Sequence, residues 1–376
     1  MGDFFSLTFL ETLRERVLPG LWPLVVALVA CALVVPLVIR LSRRTGMLAL
    51  PGGRHAHATP TPLLGGLAMF VGFAVAVLIF VPSSTTRTGV LVVSGLAALL
   101  LIADDRWSVS PGLKFAFQLL VALVAVVVFG FVVTFFGLPT LGGHTHLVQL
   151  GWFAIPVSLL WLLGMQNTVN FLDGVDGLAA GVVAIVAMTL LITAAGTQAS
   201  ESPDAVKLSG ALAGTCAGFL LFNFHPAKIF MGDSGSHFLG VAIGVISILS
   251  VAKVNVAFAL AVPALALALP IADTGWAIIR RRRGHISVAR PDLQHLHHRL
   301  QAFGLNPRQT CYVFYAATAL TGTVGLMLFG HRRILGVVLV AVLVLASTVA
   351  ADRLQKAGLR IPAPFLSRLL AEPSRR

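Results

Sequence analysis

Apolar runs of about 17 to 25 residues recur along the whole chain, and no other feature of the sequence constrains the fold as strongly. A run of that length crosses the hydrocarbon core of a bilayer as an α-helix. The runs are continuously apolar rather than alternating, which disfavours a transmembrane β-barrel. With 57% hydrophobic and 11% charged residues, the composition also excludes an ordinary soluble domain. The sequence therefore predicts an all-α polytopic membrane protein.

The runs predict about eleven membrane-spanning helices. We place them at 21–41, 64–82, 88–103, 115–137, 148–166, 178–196, 207–224, 236–252, 256–279, 310–329 and 334–351. Most of the 27 Lys and Arg residues fall in connections that lie inside if the N-terminus lies outside. This bias predicts a cytoplasmic C-terminus and polar connections on the cytoplasmic face of the inner membrane. We expect one integral-membrane domain, 1–376, with a long cytoplasmic loop at 280–308 and a basic tail at 352–376.

The formal net charge of +13 fits basic inner connections that attract anionic lipid. Membrane lipids are therefore expected partners, and nucleic acid is not. The three cysteines stand singly in apolar runs, without the spacing of a disulfide or metal site, and are predicted to be packing residues. The N-terminal residues lack the basic region and cleavage site of a signal peptide, so the first apolar run is expected to remain in the mature protein.

The stretch 167–177 lies between two long apolar runs and contains Asn167, Asn170, Asp173 and Asp176. Capping of the following helix would explain one of the carboxylates. It does not explain two acids together with two amides. Oxygen ligands of this kind suit Mg²⁺, with Mn²⁺ as the alternative, bound through one or two carboxylates plus substrate phosphates.

Two further acidic segments lie at predicted helix ends. Asp104 and Asp105 end the third predicted helix, where the helix dipole disfavours negative charge. A metal or a basic cluster would compensate them, unless they only mark the helix exit and face water. Asp233 stands between glycines before another helix, so a carboxylate and backbone N–H groups are offered together to a phosphate. The alternative is that Asp233 or Ser234 caps that helix.

The first inner connection contains His57 between arginines and prolines. Pro60 and Pro62 prevent regular helix, and Gly65 and Gly66 permit a close backbone approach where the next helix begins. This connection is either a surface turn or a basic wall beside an anionic substrate.

The last inner connection contains His295, His297, His298 and Arg299. No Cys or well-spaced carboxylate completes a zinc site there, so the segment favours binding of a diphosphate. Together with cations such as Lys114, the inner connections carry the residue types of metal-assisted phosphoryl transfer. Chemistry at the membrane surface predicts a lipid phosphate as one substrate.

These segments, in this order, resemble the bacterial polyprenyl-phosphate N-acetylhexosamine-1-phosphate transferases, glycosyltransferase family 4 of the WecA, TagO and MraY type. The resemblance covers nearly the whole chain. It rests on the acidic pair 104–105, N-x-x-N-x-x-D-G-x-D-G at 167–177, M-G-D-S-G at 231–235 and H-L-H-H at 295–298. It implies Mg²⁺-dependent transfer of a sugar-1-phosphate from a UDP-sugar to undecaprenyl or another polyprenyl phosphate. Release of UMP would then start a cell-envelope polysaccharide (O-antigen, teichoic acid or arabinogalactan linker).

The resemblance also implies roles for individual residues. Asp233 would be the principal Mg²⁺ ligand and Asn170 a second one. Asp104 and Asp105 would lie near the lipid phosphate, one of them as a base, and act with Asp233 as catalytic residues. The residues with implied roles at the substrates are Asn167, Asp173, Asp176, His295, His297, His298, Arg299, His57 and Lys114. A homodimer is compatible with the resemblance.

Some positions depart from the family pattern. His55 stands where many members carry Lys, Ala49 where an acidic residue is usual, and Ser108 where some relatives carry Asp. A threonine-proline-threonine-methionine-glycine-glycine stretch is missing, which favours UDP-GlcNAc over a UDP-MurNAc-pentapeptide donor. That donor is the alternative within the same reaction class. A membrane transporter is the alternative from another class, disfavoured because the acids cluster at predicted helix ends rather than at the bilayer midplane.

Overall fold

The computed structural model describes residues 13–50, 60–139, 145–196, 203–251, 264, 267–283 and 296–328. The α-helices within these ranges are α1 Leu18–Thr45, α2 Gly65–Phe80, α3 Thr85–Trp107, α4 Pro111–Leu123, α5 Ala154–Leu172, α6 Leu178–Gly196, α7 Pro203–Asn223, α8 Gly232–Val251, α9 Ala268–Arg283, α10 Leu296–Ala302 and α11 Pro307–Leu328. The strands are β1 Leu48–Ala49, β2 Thr61–Pro62, β3 Phe135–Pro139 and β4 Thr145–Gln149.

Seven helical segments in the described part of the chain are long and apolar enough to cross a membrane. They are Glu15–Thr45, Thr85–Trp107, Pro111–Val128, Gly151–Leu172, Leu178–Ala195, Asp204–Asn223 and Gly232–Ser250. Helix α2 is apolar but shorter. A mostly helical polytopic membrane protein is therefore confirmed. The count of about eleven spans and the orientation of the termini stay predictions. The predicted span 334–351 lies outside the described residues, as does much of 256–279.

The predicted span 115–137 is wrong in its second half. Helix α4 ends at Leu123, a π-helical turn continues to Val128, and Gly130 takes a left-handed φ of 67°. The chain then enters β3, because its Val and Phe residues suit an extended strand and glycine interrupts the helix. The all-α expectation is corrected accordingly.

Both β-ladders are two-stranded and antiparallel. Strand β1 pairs with β2, Leu48 opposite Pro62 and Ala49 opposite Thr61. Strand β3 pairs with β4 from Phe135 opposite Gln149 to Pro139 opposite Thr145. The proline-rich first connection therefore carries a two-residue strand, in agreement with the prediction that regular helix is prevented there.

Local sequence signals set two helix starts near the site. The Ser110 hydroxyl accepts from the backbone N–H of the third helical residue of α4, and Pro111 follows in the first helical position. Before α11, the Asn306 Oδ1 accepts from the Gln309 N–H at 2.8 Å, and the Gln309 Oε1 accepts from the Asn306 N–H at 3.1 Å. This reciprocal pair is a capping box.

Helix α8 occupies the centre of the bundle. Of its apolar 18-residue stretch, 89% is buried, which is the highest share among the seven segments. It packs against α2, α3, α5, α6 and α7. Cys31, Cys216 and Cys311 are buried and free, so their predicted role as packing residues is confirmed. The first residues of α8 therefore lie where several helix ends can reach them.

The start of α2 lies against the start of α8. The Gly65 N–H donates to the Phe230 carbonyl and the Gly66 N–H to the Met231 carbonyl, both at 2.9 Å. A Cβ added at Gly66 would lie 2.3 Å from the backbone nitrogen of Gly235. The close approach predicted for the glycine pair is confirmed.

A glycine stripe on α7 brings its backbone against α1. A Cβ added at Gly210 or Gly214 would lie 2.0 Å from the carbonyl oxygen of Gly20 or Leu24, respectively. Small residues at a spacing of four permit this kind of helix contact in membranes.

We expect Gly214→Ala to destabilise the protein, because the new methyl group meets backbone that cannot move aside without separating α1 from α7. Overpacking of this kind typically costs about 1–3 kcal/mol. Thermal unfolding in detergent measures the effect. Gly164→Ala is the matched control, since nothing lies within 4 Å of a Cβ at that helical position. Equal melting temperatures for the two variants would contradict the prediction.

Candidate active site

Asp105 holds the beginning of helix α8. It lies in the last turn of α3, and its two carboxylate oxygens accept from the backbone N–H groups of Asp233 at 2.7 Å and Ser234 at 3.1 Å. Gly232 precedes them with a φ of 70°, and a Cβ there would lie 2.6 Å from the Asp105 Oδ1. The helix is thus capped by a carboxylate from another helix, and not by the side chain of Asp233 or Ser234.

Lys114 joins two carboxylates at the same end of the bundle. Its ammonium nitrogen lies 3.0 Å from the Asp104 Oδ2 and also contacts the Asp233 Oδ2. Asp104 comes from α3, Lys114 from the first turns of α4, and Asp233 from α8. All three side chains remain partly accessible, at 10% to 26%. The predicted compensating cation for the 104–105 pair is therefore present, and it is a lysine.

Asn170 completes the surroundings of Asp233. Its Nδ2 donates to the Asp233 Oδ1 at 2.5 Å and to the Ser236 Oγ at 3.0 Å. The stretch 167–177 was predicted as a connection, but α5 continues to Leu172, so Asn167 and Asn170 lie on one helical face. We call Lys114, Asn170 and Asp233 the upper layer of the site.

Asp173 follows α5 directly, and its N–H donates to the carbonyl of Asn170 at 3.2 Å. Burial raises the pKa of its carboxyl well above the usual range, and the negative charges of Asp233, Asp105 and Asp176 raise it further. Negative charge is therefore in excess around this end of the bundle, even with Lys114 in place.

This raised pKa predicts a pH-dependent stability. The folded state favours the neutral form of Asp173. The contribution of this carboxyl to the free energy of unfolding is therefore fully present below its unfolded pKa of about 3.9, and it is lost as pH rises through the higher folded pKa. Asp173→Asn should therefore raise the melting temperature at pH 7.5 in chelator-treated detergent buffer, and the gain should shrink towards pH 5. Asp204→Asn serves as the control, because Asp204 lies in the first turn of α7. A lower melting temperature for Asp173→Asn at pH 7.5 would contradict the prediction.

Asp176 joins two connections of the chain. Its Oδ2 lies 2.8 Å from the His225 Nδ1 and accepts from the Ala227 N–H at 3.0 Å. Arg308, from α11, donates to the His225 carbonyl at 3.0 Å and lies over the Phe224 ring. The structure therefore places Asp176 in the framework around the site, and its predicted role at the nucleotide stays a prediction.

The histidine segment is described only in part. His297 lies in α10 and is buried, and its Nε2 would be 2.5 Å from a Cβ at Gly174. Arg299 is exposed. Asp273 of α9, which the sequence analysis does not single out, accepts from the Leu296 N–H at 2.9 Å and so holds the start of α10. His57, His295 and the side chain of His298 lie outside what the structure describes.

Two buried polar residues behind the upper layer are missed by the sequence analysis. Gln118 follows Lys114 by four residues on α4, and His237 follows Asp233 by four residues on α8. Residues four apart share a face of a helix. A polar residue one turn from a predicted site residue, inside an apolar run, is the signal that would have identified both.

The ligands for a divalent cation are incomplete on the protein side. Among the described residues, no group of three or more His, Cys, Asp or Glu side chains could by itself hold a metal ion. The carboxylates of Asp104 and Asp233 still provide oxygen ligands, and Asn170 lies against the latter. Mg²⁺ commonly uses one or two carboxylates and completes its shell with water and substrate phosphates. The donor set therefore fits Mg²⁺ bound together with a diphosphate.

The part of the chain that forms this site is similar to known proteins. The model of glycosyl transferase family 4 matches residues 87–251. A probable undecaprenyl-phosphate N-acetylglucosaminyl 1-phosphate transferase of Bacillus subtilis is 38% identical over 304 residues, covering 81% of this chain and 83% of the relative. A decaprenyl-phosphate N-acetylglucosaminephosphotransferase of Mycolicibacterium smegmatis is 36% identical over 343 residues, covering 85% and 82%.

A phospho-N-acetylmuramoyl-pentapeptide-transferase of Moorella thermoacetica is 36% identical over 249 residues, covering 61% of this chain and 76% of the relative. The residues that match the family model include most of α3 and the whole of α4, α5 and α8, which supply Asp104, Lys114, Asn170 and Asp233. The resemblance of the sequence segments is thereby confirmed over most of the chain. On these matches, the protein belongs to glycosyl transferase family 4.

Proposed function

We propose that this protein transfers GlcNAc-1-phosphate from UDP-GlcNAc to undecaprenyl phosphate or another polyprenyl phosphate, releases UMP, and thereby starts a cell-envelope polysaccharide. The observation that carries the proposal is that Lys114 joins Asp104 to Asp233 at one end of membrane-length helices. Asn170 contacts the same Asp233 carboxylate. The names of the relatives from Bacillus subtilis and Mycolicibacterium smegmatis supply the acceptor class and the sugar.

The reaction exchanges one phosphoanhydride partner for another. An oxygen of the lipid phosphate attacks the phosphorus that carries the sugar, and the bond from that phosphorus to the UMP oxygen breaks. Both substrates are anions, so the reaction needs positive charge where they meet. Mg²⁺, when bound, would neutralise the diphosphate and stabilise the leaving UMP. Asp233, whose carboxylate is oriented by the Asn170 amide, is the residue that would hold it.

Lys114 is the residue best placed to contact a phosphate. Its ammonium group has three donor hydrogens, and it lies between Asp104 and Asp233. A phosphate oxygen that approaches this end of the bundle can accept from the ammonium group while the two carboxylates keep it in position. Lys114 therefore supplies charge at the point where acceptor and donor phosphates meet.

Asp104 orients Lys114 rather than acting mainly as a base. The second pKa of a phosphate monoester is about 6, so the lipid phosphate is already mostly a dianion at neutral pH. Removal of a proton is then a small part of the barrier. The contact of 3.0 Å between the Asp104 Oδ2 and the Lys114 ammonium supports a role in placing positive charge.

We also propose that the site faces the cytoplasm and that the protein resides in the inner membrane, because the basic residues favour that orientation. UDP-GlcNAc as donor is part of the same proposal, and a homodimer is compatible with it. Family membership does not support the transporter alternative.

The test uses purified protein in detergent with Mg²⁺. We expect UMP release from UDP-GlcNAc only when polyprenyl phosphate is present. No UMP above background with several UDP-N-acetylhexosamines would overturn the proposal. The similarity to the pentapeptide transferase of Moorella thermoacetica makes a UDP-MurNAc-pentapeptide donor the comparison of choice, and a higher kcat/KM for that donor would change the assigned substrate.

A further inference from the structure

A second layer of polar side chains lies one helical turn behind the upper layer. The same three helices supply both layers, each with a residue three or four positions farther from the site. The lower layer consists of Gln118 from α4, Asn167 from α5 and His237 from α8. Gln118 and His237 are buried, at 3% and 0% exposure. Polar groups at this depth in apolar helices are costly unless they are hydrogen-bonded.

The lower layer is connected through Gln118. The Gln118 Nε2 lies 2.9 Å from the His237 Nε2, and the Gln118 Oε1 accepts from the Asn167 Nδ2 at 2.9 Å. The backbone carbonyl of Gln118 also accepts from the Gln166 Nε2 at 3.4 Å. One side chain on α4 therefore contacts both α5 and α8.

The backbone carbonyls of Leu163 and Asp233 determine which group donates and which accepts in the hydrogen bonds that link Asn167, Gln118 and His237. The Asn167 Nδ2 also donates to the Leu163 carbonyl at 2.8 Å, which identifies this end of the Asn167 amide as its NH₂ group. The Gln118 Oε1 must then face Asn167, and its NH₂ group must face His237. The His237 Nε2 therefore accepts, and its protonated Nδ1 donates to the Asp233 carbonyl at 2.8 Å.

We propose that Gln118, Asn167 and His237 are positioning residues for the cation and phosphate site. The hydrogen bonds that join Gln118 to Asn167 and to His237 form only at one spacing and one rotation of α4, α5 and α8, whereas apolar side chains would tolerate sliding. The layer therefore places Lys114 and Asp233 relative to each other, and its last bond acts directly on the Asp233 backbone. This inference rests on the proposed function.

It assigns Asn167 a place behind the site instead of a contact with substrate. The Asn167 Nδ2 has partners on its own helix and on Gln118. Asn170, one turn nearer to the end of α5, is the amide that contacts Asp233. The two amides of one sequence motif thus serve different layers.

The first experiment breaks the layer at its centre. Gln118→Met keeps a similar volume and removes the bonds of the side chain to His237 and Asn167. Binding of Mn²⁺ to the purified full-length protein is followed by electron paramagnetic resonance, without substrate and without turnover. Residues behind a metal site typically change metal affinity or activity by about 10–100-fold when replaced. We expect a rise of about tenfold in the Mn²⁺ dissociation constant and a similar fall in kcat, with a smaller change in KM for the UDP-sugar.

A matched pair at His237 separates positioning from packing. His237→Asn keeps a donor near the Nδ1 position and can still reach the Asp233 carbonyl, whereas His237→Leu removes both bonds. We expect His237→Asn to retain more Mn²⁺ affinity and kcat than His237→Leu. Ser250→Ala is the control, because this buried hydroxyl on α8 donates to the Ile246 carbonyl of its own helix. The control should match the parent protein.

The possible outcomes are distinct. If Gln118→Met and His237→Leu fold and keep Mn²⁺ affinity and kcat within twofold of the parent, the layer is only packing and the inference is overturned. If Gln118→Met does not fold, the two His237 variants decide by their difference, and equal values for both overturn it. If the parent itself binds Mn²⁺ but releases no UMP, the proposed function fails while the positioning role is still measured. If the parent binds no Mn²⁺, both fail.

Discussion

Replacing Asp233 with Asn should lower kcat about a thousandfold and leave the protein folded. A metal at a phosphoryl centre contributes several kcal/mol of charge stabilisation, and about 4 kcal/mol corresponds to a factor of a thousand in rate. The Asn side chain keeps the shape of the carboxylate but loses its charge. The fold is retained because Asp105 is bonded to the backbone N–H of residue 233, not to its side chain.

UMP release at saturating UDP-GlcNAc and polyprenyl phosphate gives kcat, and the melting temperature in detergent reports the fold. Asp204→Asn is the control, because it makes the same chemical change in the first turn of α7. The other end of α7 lies near the site, where the Asn223 Oδ1 accepts from the Gly177 N–H. The control variant should be fully active. Full activity in Asp233→Asn would refute a role of this carboxylate in the reaction.

Replacing Asp105 with Ala should destabilise the protein and also reduce activity, whereas Asp104→Ala should reduce activity alone. Loss of Asp105 leaves two backbone N–H groups at the start of α8 without their partner. Loss of a helix cap typically costs about 0.5–2 kcal/mol, and a shifted α8 would displace Asp233. Loss of Asp104 removes one contact of a partly accessible ion pair, while the other carboxylate still holds Lys114. Such a contact is worth about 1 kcal/mol or less.

Melting temperatures at one fixed heating rate, together with UMP release, distinguish these two effects. Asp105→Asn is the conservative variant, because its amide oxygen can still accept one of the two backbone bonds. Its melting temperature should lie between those of the parent and Asp105→Ala. Equal destabilisation by Asp104→Ala and Asp105→Ala would show that the cap is not specific to Asp105.

The arrangement of helices was largely predictable from residue pattern. The span predicted at 178–196 agrees with α6, Leu178–Gly196, and the spans at 64–82 and 310–329 agree closely with α2 and α11. Apolar length sets these helices because the bilayer requires it. Where the apolar run continued beyond α4, length was misleading, since Gly130 ends the helical segment and a strand follows.

Predicting the site required more than pattern. Asp104 and Asp105 are neighbours in sequence and were indistinguishable as candidate bases. Successive residues of a helix point about 100° apart, so one carboxylate faces Lys114 and the other faces the N-terminus of α8. The direction of each side chain depends on which helix lies beside α3, and that neighbour is set by tertiary packing.

The composition and motifs of the chain determined that it is a polytopic helical protein of this transferase family, because bilayer length and the spacing of acids and amides are properties of local sequence. They also identify Asp233, Asn170 and Lys114 as candidate site residues. Packing around α8 decided which acid caps that helix and how Gln118 and His237 support the site. These features join residues more than 100 positions apart, and long-range hydrogen bonds of this kind leave no periodic signal along the chain.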